Sequence, residues 1–326
     1  MRNKNLLSAA VAIVASLLAA CGSATAESAE PTAITTARDS ATTTVPASTP
    51  AAGGELYGLL TDEVIYHEDE DGTWAMDIFY PDAEGPWPLV IVYHGMGTIP
   101  ASSEARAIAE RGAVAVAPQW IKVVPPEMTR EEYIDGMLFD RAACAVGVAQ
   151  GLAADYDADP ANTTVSGFSA GTHPTAWVGL GVVRDDLCES PLMYQPIGVI
   201  MGDDQFLFYE DGWDKLIADP DGSMAADTLD RYINPERWDV PGDLSVYLWT
   251  SDYRHGRAIE NPPGEESWIQ VRDTTGSLLD DLGALDAFED EFVDFMDNAL
   301  LMEMSMKRAG IDVVHEAVGG GHYYSD

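Results

Sequence analysis

Thr163-Thr164-Val165-Ser166-Gly167-Phe168-Ser169-Ala170-Gly171-Thr172-His173 is the stretch on which the fold turns. The β-branched run Thr163 to Ser166 favours a strand. The small residues from Ala170 to Leu180 favour a helix. Between them, Gly167-Phe168-Ser169-Ala170-Gly171 places one serine on a tight strand-to-helix turn with its hydroxyl exposed. Glycine is needed two residues before and two after Ser169, because a Cβ at either place would strike the neighbouring strand or helix. A Gly-x-Ser-x-Gly pattern also arises by chance, so the reading needs support from the rest of the chain.

That support comes from the alternation around it. Val64-Ile65-Tyr66 and Trp74 to Tyr80 read as strands joined by an Asp71-Gly72 turn. Pro88 to Tyr93 is a continuous apolar run, the signature of a strand buried on both faces, and Ala113 to Ala117 is a second. Ser102 to Arg111 and the alanine-rich Ile134 to Asp155 read as helices. Ile197 to Met201, Leu244 to Trp249 and Ile311 to Val314 complete the strands, with a long amphipathic helix over about Leu285 to Ala309. Strands alternating with helices imply an α/β fold whose mostly parallel central sheet, antiparallel at its start, is flanked by helices. Asp203 to Val240 breaks the alternation and is rich in Asp, Trp, Tyr and Phe, which suggests a cap-like insertion or pocket wall. Arg254 to Gly283, with Pro262-Pro263-Gly264, is a second irregular stretch at the same rim.

The first twenty residues lie outside this fold. Arg2 and Lys4 precede the apolar Leu6 to Ala20, which is short for a membrane span. Leu18-Ala19-Ala20-Cys21-Gly22 resembles the lipobox of bacterial lipoproteins. The resemblance implies that Cys21 is acylated on its sulfur, becomes the mature N-terminus and anchors an extracytoplasmic protein to a membrane, against an ordinary cleaved signal followed by a free cysteine. Residues 21–54, almost entirely Ala, Ser, Thr, Pro and Gly, have nothing to bury and are expected to form a disordered stalk. Residues 55–326 are left as one domain without internal repeats.

The chain carries 55 acidic against 17 basic side chains, a net charge of −38. A field of that sign excludes nucleic acid and anionic lipid as partners and favours solubility over recognition of a cation. Two cysteines remain in the domain. Outside the reducing cytosol Cys144 and Cys188 can pair as a disulfide, the alternative being two unpaired buried thiols. No metal is expected, since the histidines and cysteines lack ligand spacing. Gly319-Gly320-Gly321 precedes no helix and is a turn rather than a phosphate loop, so no cofactor is expected either. Oligomeric state leaves no signal.

Over residues 55–326 the chain resembles the α/β-hydrolase superfamily, with motifs in that family's order of serine, acid and histidine. Gly167 to Gly171 is similar to its nucleophile elbow, which implies Ser169 as nucleophile. Gly319-Gly320-Gly321-His322-Tyr323 follows the last strand and implies His322 as the base. Thr250-Ser251-Asp252 follows the strand ending at Trp249 and implies Asp252 as the acid that orients the imidazole. Asp203, Asp204 and Asp243 remain as alternatives. Tyr93-His94-Gly95-Met96-Gly97 resembles the His-Gly loop that supplies half of the oxyanion hole. The implied donors are the N–H groups of Ala170 and Met96, with Gly95 as a less favoured choice and His94 bracing the loop. Many relatives have His-Gly-Gly-Gly here, so Met96 sets a bulky side chain beside the hole. Among the other histidines, His67 falls in an acidic turn, His255 in an irregular loop and His315 along the last strand, while His173 packs or lines the site.

The resemblance implies a serine hydrolase acting on carboxylic ester substrates, similar to compact esterases, cutinase-like polyesterases and dienelactone hydrolase relatives. A peptidase or amidase on the same triad is the enzymatic alternative. A non-catalytic surface binding protein would be marked by a missing triad member, and none is missing.

Overall fold

The computed structural model describes residues 56–69, 72–95, 100–121, 141–181, 190–203, 234–251, 257–258, 292–293 and 295–318. The chain first forms a hairpin of β1 (Leu59–Asp69) and β2 (Gly72–Pro81), with Asp69 opposite Gly72. Both strands run well beyond the apolar cores Val64 to Tyr66 and Trp74 to Tyr80. On β1, the outermost strand, the adjacent polar residues Asp62 and Glu63 are both exposed, so both faces of the strand are wet at this point. His67 lies on β1, opposite Trp74, rather than in a turn.

β3 (Trp87–Tyr93), β4 (Val114–Pro118), β5 (Ala158–Phe168), β6 (Gly198–Gly202) and β7 (Ser245–Ser251) follow. A separate two-residue ribbon pairs β8 (Arg257–Ala258) with β9 (Phe292–Val293), and β10 (Asp312–Val318) is the last strand. Among the described residues, eight strands form one sheet in the order β1-β2-β4-β3-β5-β6-β7-β10. β2 is antiparallel to both neighbours, and every later pair in the sheet is parallel. This is the antiparallel start and parallel body that the sequence pattern implies.

The alternation of side chains along each strand assigns its faces. From β3, Leu89, Ile91 and Tyr93 enter one cluster, while Val90 and Val92 enter the other. Val114 and Val116 of β4 join the first cluster, and Ala115 and Ala117 the second. Helix α1 (Ser102–Ala109) covers the second face through Ala105, Ile108 and Ala109. The first face carries α2 (Arg141–Leu152), α3 (Thr172–Gly179) and α4 (Phe295–Arg308), contributing Ala145, Trp177 and Met306 among others.

Two helix ends differ from expectation. The alanine-rich helix ends at Leu152, where Ala153–Tyr156 tightens into a 3-10 turn closed by left-handed Asp157 at φ 51°. The late helix starts at Phe295 instead of about Leu285, because Phe292 and Val293 are taken up by pairing with Arg257 and Ala258. Of the two irregular stretches, 204–233 and most of 254–283 lie outside the described residues. Residues 1–55, which hold the leader, Cys21 and the stalk, lie outside them as well.

Candidate active site

Parallel strands emerge together at their carboxyl ends. Tyr93 of β3 pairs with Gly167 of β5, Phe168 with Gly202 of β6, and Gly202 with Trp249 of β7. The residues that follow, His94-Gly95, Ser169, Asp203 and Thr250-Ser251, therefore share one edge of the sheet. Val318, at the end of β10, pairs with Ser251 at this same edge.

Ser169 is where β5 turns into α3. Phe168 is still extended, at φ −130° and ψ 140°, and Ser169 swings to φ 54°. Ser169–Gly171 then forms a 3-10 turn that runs into α3. A left-handed conformation costs a non-glycine residue about 1–2 kcal/mol, so the turn stores strain at Ser169. Its neighbours make room for it. A Cβ on Gly167 would lie 2.0 Å from the Gly171 carbonyl oxygen, and one on Gly171 would lie 2.4 Å from that of Tyr93. Both contacts are with backbone that cannot move aside. Thr172 Oγ1 donates to the Ser169 carbonyl at 2.6 Å and Thr175 Oγ1 to that of Gly171 at 2.8 Å, which fastens the first turn. Pro174 is tolerated because it sits in that first turn, where no intrahelical N–H is required. Ser169 is buried, and its Oγ has no hydrogen-bond partner among the described residues.

The loop after β3 lies directly against this serine. A Cβ built on Gly95 would stand 3.4 Å from Ser169 Cβ and 3.3 Å from the Phe168 carbonyl oxygen. His94 is buried and donates from Nδ1 to the Gly95 carbonyl at 2.8 Å, which leaves Nε2 as the unprotonated nitrogen of a neutral ring. Burial lowers its pKa, opposed by the Gly95 bond and by the charge of Glu104. Trp120, fully buried two residues past β4, donates from Nε1 to the His94 carbonyl at 2.9 Å and sets its ring 5.5 Å from the imidazole. His94 is thus a brace of the loop, as the sequence suggests. Trp120 is a contributor that the sequence reading missed, since a lone tryptophan after a strand reads simply as core.

Next to Ser169 across the sheet is Asp203, the second left-handed residue at this edge, at φ 46° and fully buried. Its N–H donates to the Trp249 carbonyl at 3.0 Å, and its Oδ1 accepts from Ser251 N–H at 2.6 Å. The carboxylate of this alternative acid is therefore engaged with the main chain at the end of β7, one residue before Asp252. Phe168 and Trp249 stack beside it, with centroids 5.4 Å apart and planes at 10°; a Cβ on Gly202 would strike the Trp249 ring at 2.0 Å.

Of the candidate residues, Ser169, Ala170 and Gly95 are brought together. Met96, Asp252, His322, Cys188 and the alternative acid Asp204 lie outside the described residues. Asp243, the remaining alternative, precedes β7 and so falls at the opposite edge from Ser169. Cys144 is buried on α2 and disulfide-bonded, with its partner outside the described residues. His173, on α3, has its imidazole desolvated, which lowers its pKa to about 4. His315, on β10, is held from both ring nitrogens, with Nδ1 2.9 Å from Glu303 Oε2 and Nε2 3.4 Å from Thr250 Oγ1.

No family model matches the chain, and no curated protein matches it. Solved structures do resemble it. Among them are the acetyl ester-xyloside bifunctional hydrolase of Caldicellulosiruptor lactoaceticus, at 16% identity and TM-score 0.53 over 80% of this chain and 87% of that one, and an inhibited esterase B of Lactobacillus rhamnosis, at 13% and 0.50 over 80% and 76%. Thermogutta terrifontis esterase 2 phosphorylated by paraoxon matches at 13% and 0.50 over 80% and 84%. At these identities the likeness concerns the fold: a mixed sheet flanked by helices, the α/β-hydrolase fold.

Proposed function

We propose that the protein is a serine hydrolase that cleaves carboxylic esters through an acyl-enzyme on Ser169. The observation that carries this reading is the strained turn. Ser169 holds φ 54° at a strand-to-helix junction, its Oγ has no partner among the described residues, and a glycine loop lies against it. Strain and an unpaired buried hydroxyl both count against stability, so their coincidence points to function. The ester preference is drawn from the fold neighbours, which are named as esterases or an acetyl ester hydrolase.

In this mechanism Ser169 Oγ attacks the acyl carbon while His322 takes its proton. The oxyanion that forms is held by Ala170 N–H together with an N–H of the His94–Met96 loop. Asp252 holds the imidazole in its tautomer and stabilises the imidazolium. Collapse expels the alcohol, protonated by His322, and water then releases the acid by the same route. Two topological facts support these partners. Asp252 directly follows Ser251 at the end of β7, and the segment carrying His322 begins at Val318, which pairs with Ser251.

The reading extends to the cell envelope. Cys21 carries a lipid anchor, residues 22–54 tether the domain outside the cytoplasm, and Cys188 is the disulfide partner of Cys144, a bond suited to that compartment. Steady-state hydrolysis of a p-nitrophenyl ester beside an aminoacyl-anilide tests the proposal. The ester is expected to turn over in preference, Ser169→Ala to abolish turnover, and Asp252→Asn to lower kcat by up to about ten-thousandfold. Near-normal activity in Asp252→Asn would move the acid elsewhere.

A further inference from the structure

We infer that Trp120 is a positioning residue for the oxyanion-binding loop, acting through the peptide that joins His94 to Gly95. The inference rests on the hydrolase reading above. In a planar trans peptide the carbonyl and the N–H point in opposite directions. The His94 carbonyl is fixed at 2.9 Å by Trp120 Nε1 and fits the space left by the missing side chain of Gly171, 2.7 Å from where a Cβ would be. Fixing that oxygen fixes the direction of Gly95 N–H, on a residue that packs against Ser169. The following carbonyl, of Gly95, is tied back by His94 Nδ1 at 2.8 Å. Two successive carbonyls are thus turned toward protein donors, which is how a loop presents its N–H groups to an anion.

Trp120 can impose this direction because its own position is doubly fixed. Gln119 N–H donates to the Ala75 carbonyl of β2 at 3.0 Å, and the Gln119 carbonyl accepts from Tyr66 OH of β1 at 2.6 Å. The indole packs edge-on against Tyr93, whose hydroxyl donates to the Ala142 carbonyl at 2.8 Å. A line of rigid contacts therefore runs from the antiparallel hairpin through Gln119 and Trp120 to the loop beside the nucleophile. Gly95, the less favoured donor in the sequence reading, is then a donor whose orientation the structure controls.

Trp120→Phe keeps the aromatic packing and removes the N–H. Kinetics are read per active site titrated with a fluorophosphonate, so that misfolded protein does not count. Loss of one oxyanion donor costs about a hundred- to thousandfold, and a misdirected donor a fraction of that. The expected result is therefore a kcat lowered by about ten- to a hundredfold with KM within about twofold. Affinity for a boronic acid, which mimics the tetrahedral adduct, is expected to fall in parallel. Where Trp120→Phe does not fold, benzothienylalanine at position 120 retains the bicyclic ring without the N–H and gives the same readout. Unchanged kcat and boronate affinity per titrated site would overturn the inference, even with a lowered melting temperature, because that pattern describes a core residue alone. A wild-type protein inert to fluorophosphonate would overturn the hydrolase reading and this assignment with it; a reactive wild type with unaffected Trp120 variants overturns the assignment only.

Discussion

At the scale of single residues, the strain at Ser169 can be separated from the chemistry of its hydroxyl. Ser169→Ala and Ser169→Gly both remove Oγ, but only alanine keeps a Cβ in the left-handed conformation at φ 54°. Ser169→Gly is therefore expected to be more stable than Ser169→Ala by about 1 kcal/mol in urea unfolding, with neither variant active. Equal stability would mean that the turn stores no strain. A second residue-scale prediction concerns pH. Burial lowers the His173 imidazole to about 4 from a usual value near 6.5, so the unfolded chain binds the proton more readily than the folded one. Stability attached to His173 is therefore fully present above about pH 6.5 and is lost as pH falls toward 4. His173→Gln is expected to flatten that part of the urea midpoint-against-pH curve relative to wild type. An unchanged slope would show that the imidazole is solvated. His94, also lowered by burial, acts in the same direction in both proteins and cancels from the comparison.

At the scale of elements, α2 is the part of the scaffold most exposed to a single substitution. It is small-residue and buried on most sides, and Gly147 meets the Ser190 carbonyl so closely that a Cβ would lie 1.9 Å from it. One turn further on, buried Gln150 uses both ends of its amide. Nε2 donates to Thr163 Oγ1 at 3.1 Å and the Tyr194 carbonyl at 2.8 Å, while Oε1 accepts from Met193 N–H at 2.9 Å and Tyr194 N–H at 3.2 Å. This side chain ties α2 to the elbow strand β5 and to the segment before β6. Gln150→Leu leaves those groups without their partner and is expected to cost about 2–4 kcal/mol in urea unfolding, with KM unchanged; a loss below about 0.5 kcal/mol would contradict the clamp. Legibility in the sequence divides along similar lines. β3 and β4 are readable because a strand buried on both faces is apolar throughout, and the elbow because its Gly-x-Ser-x-Gly spacing is local, although Gly171 answers to the distant Tyr93 and His94 carbonyls. The start of α4 is not, since the pairing of Phe292 and Val293 with Arg257 and Ala258 spans a long separation and leaves no periodic trace. Trp120 escapes for the same reason, and Asp203 is legible only as one alternative acid among several: their contacts exist only once β4 lies beside β3 and β6 beside β7.

At the scale of the whole molecule, the sheet collects Ser169, the His94-Gly95 loop, Asp203 and Ser251 at one edge, although the residues are far apart in the chain. The net charge of −38 belongs to the chain as a whole, and a field of that sign works against the approach of anions. Covalent trapping asks whether Ser169 is a nucleophile. Wild-type protein and Ser169→Ala are treated with a fluorophosphonate and digested, and the peptides are weighed by mass spectrometry. One adduct is expected, on the peptide containing Ser169, in wild type and none in the variant. A folded wild-type protein that stays unlabelled, or an adduct that persists in Ser169→Ala, contradicts a nucleophilic Ser169.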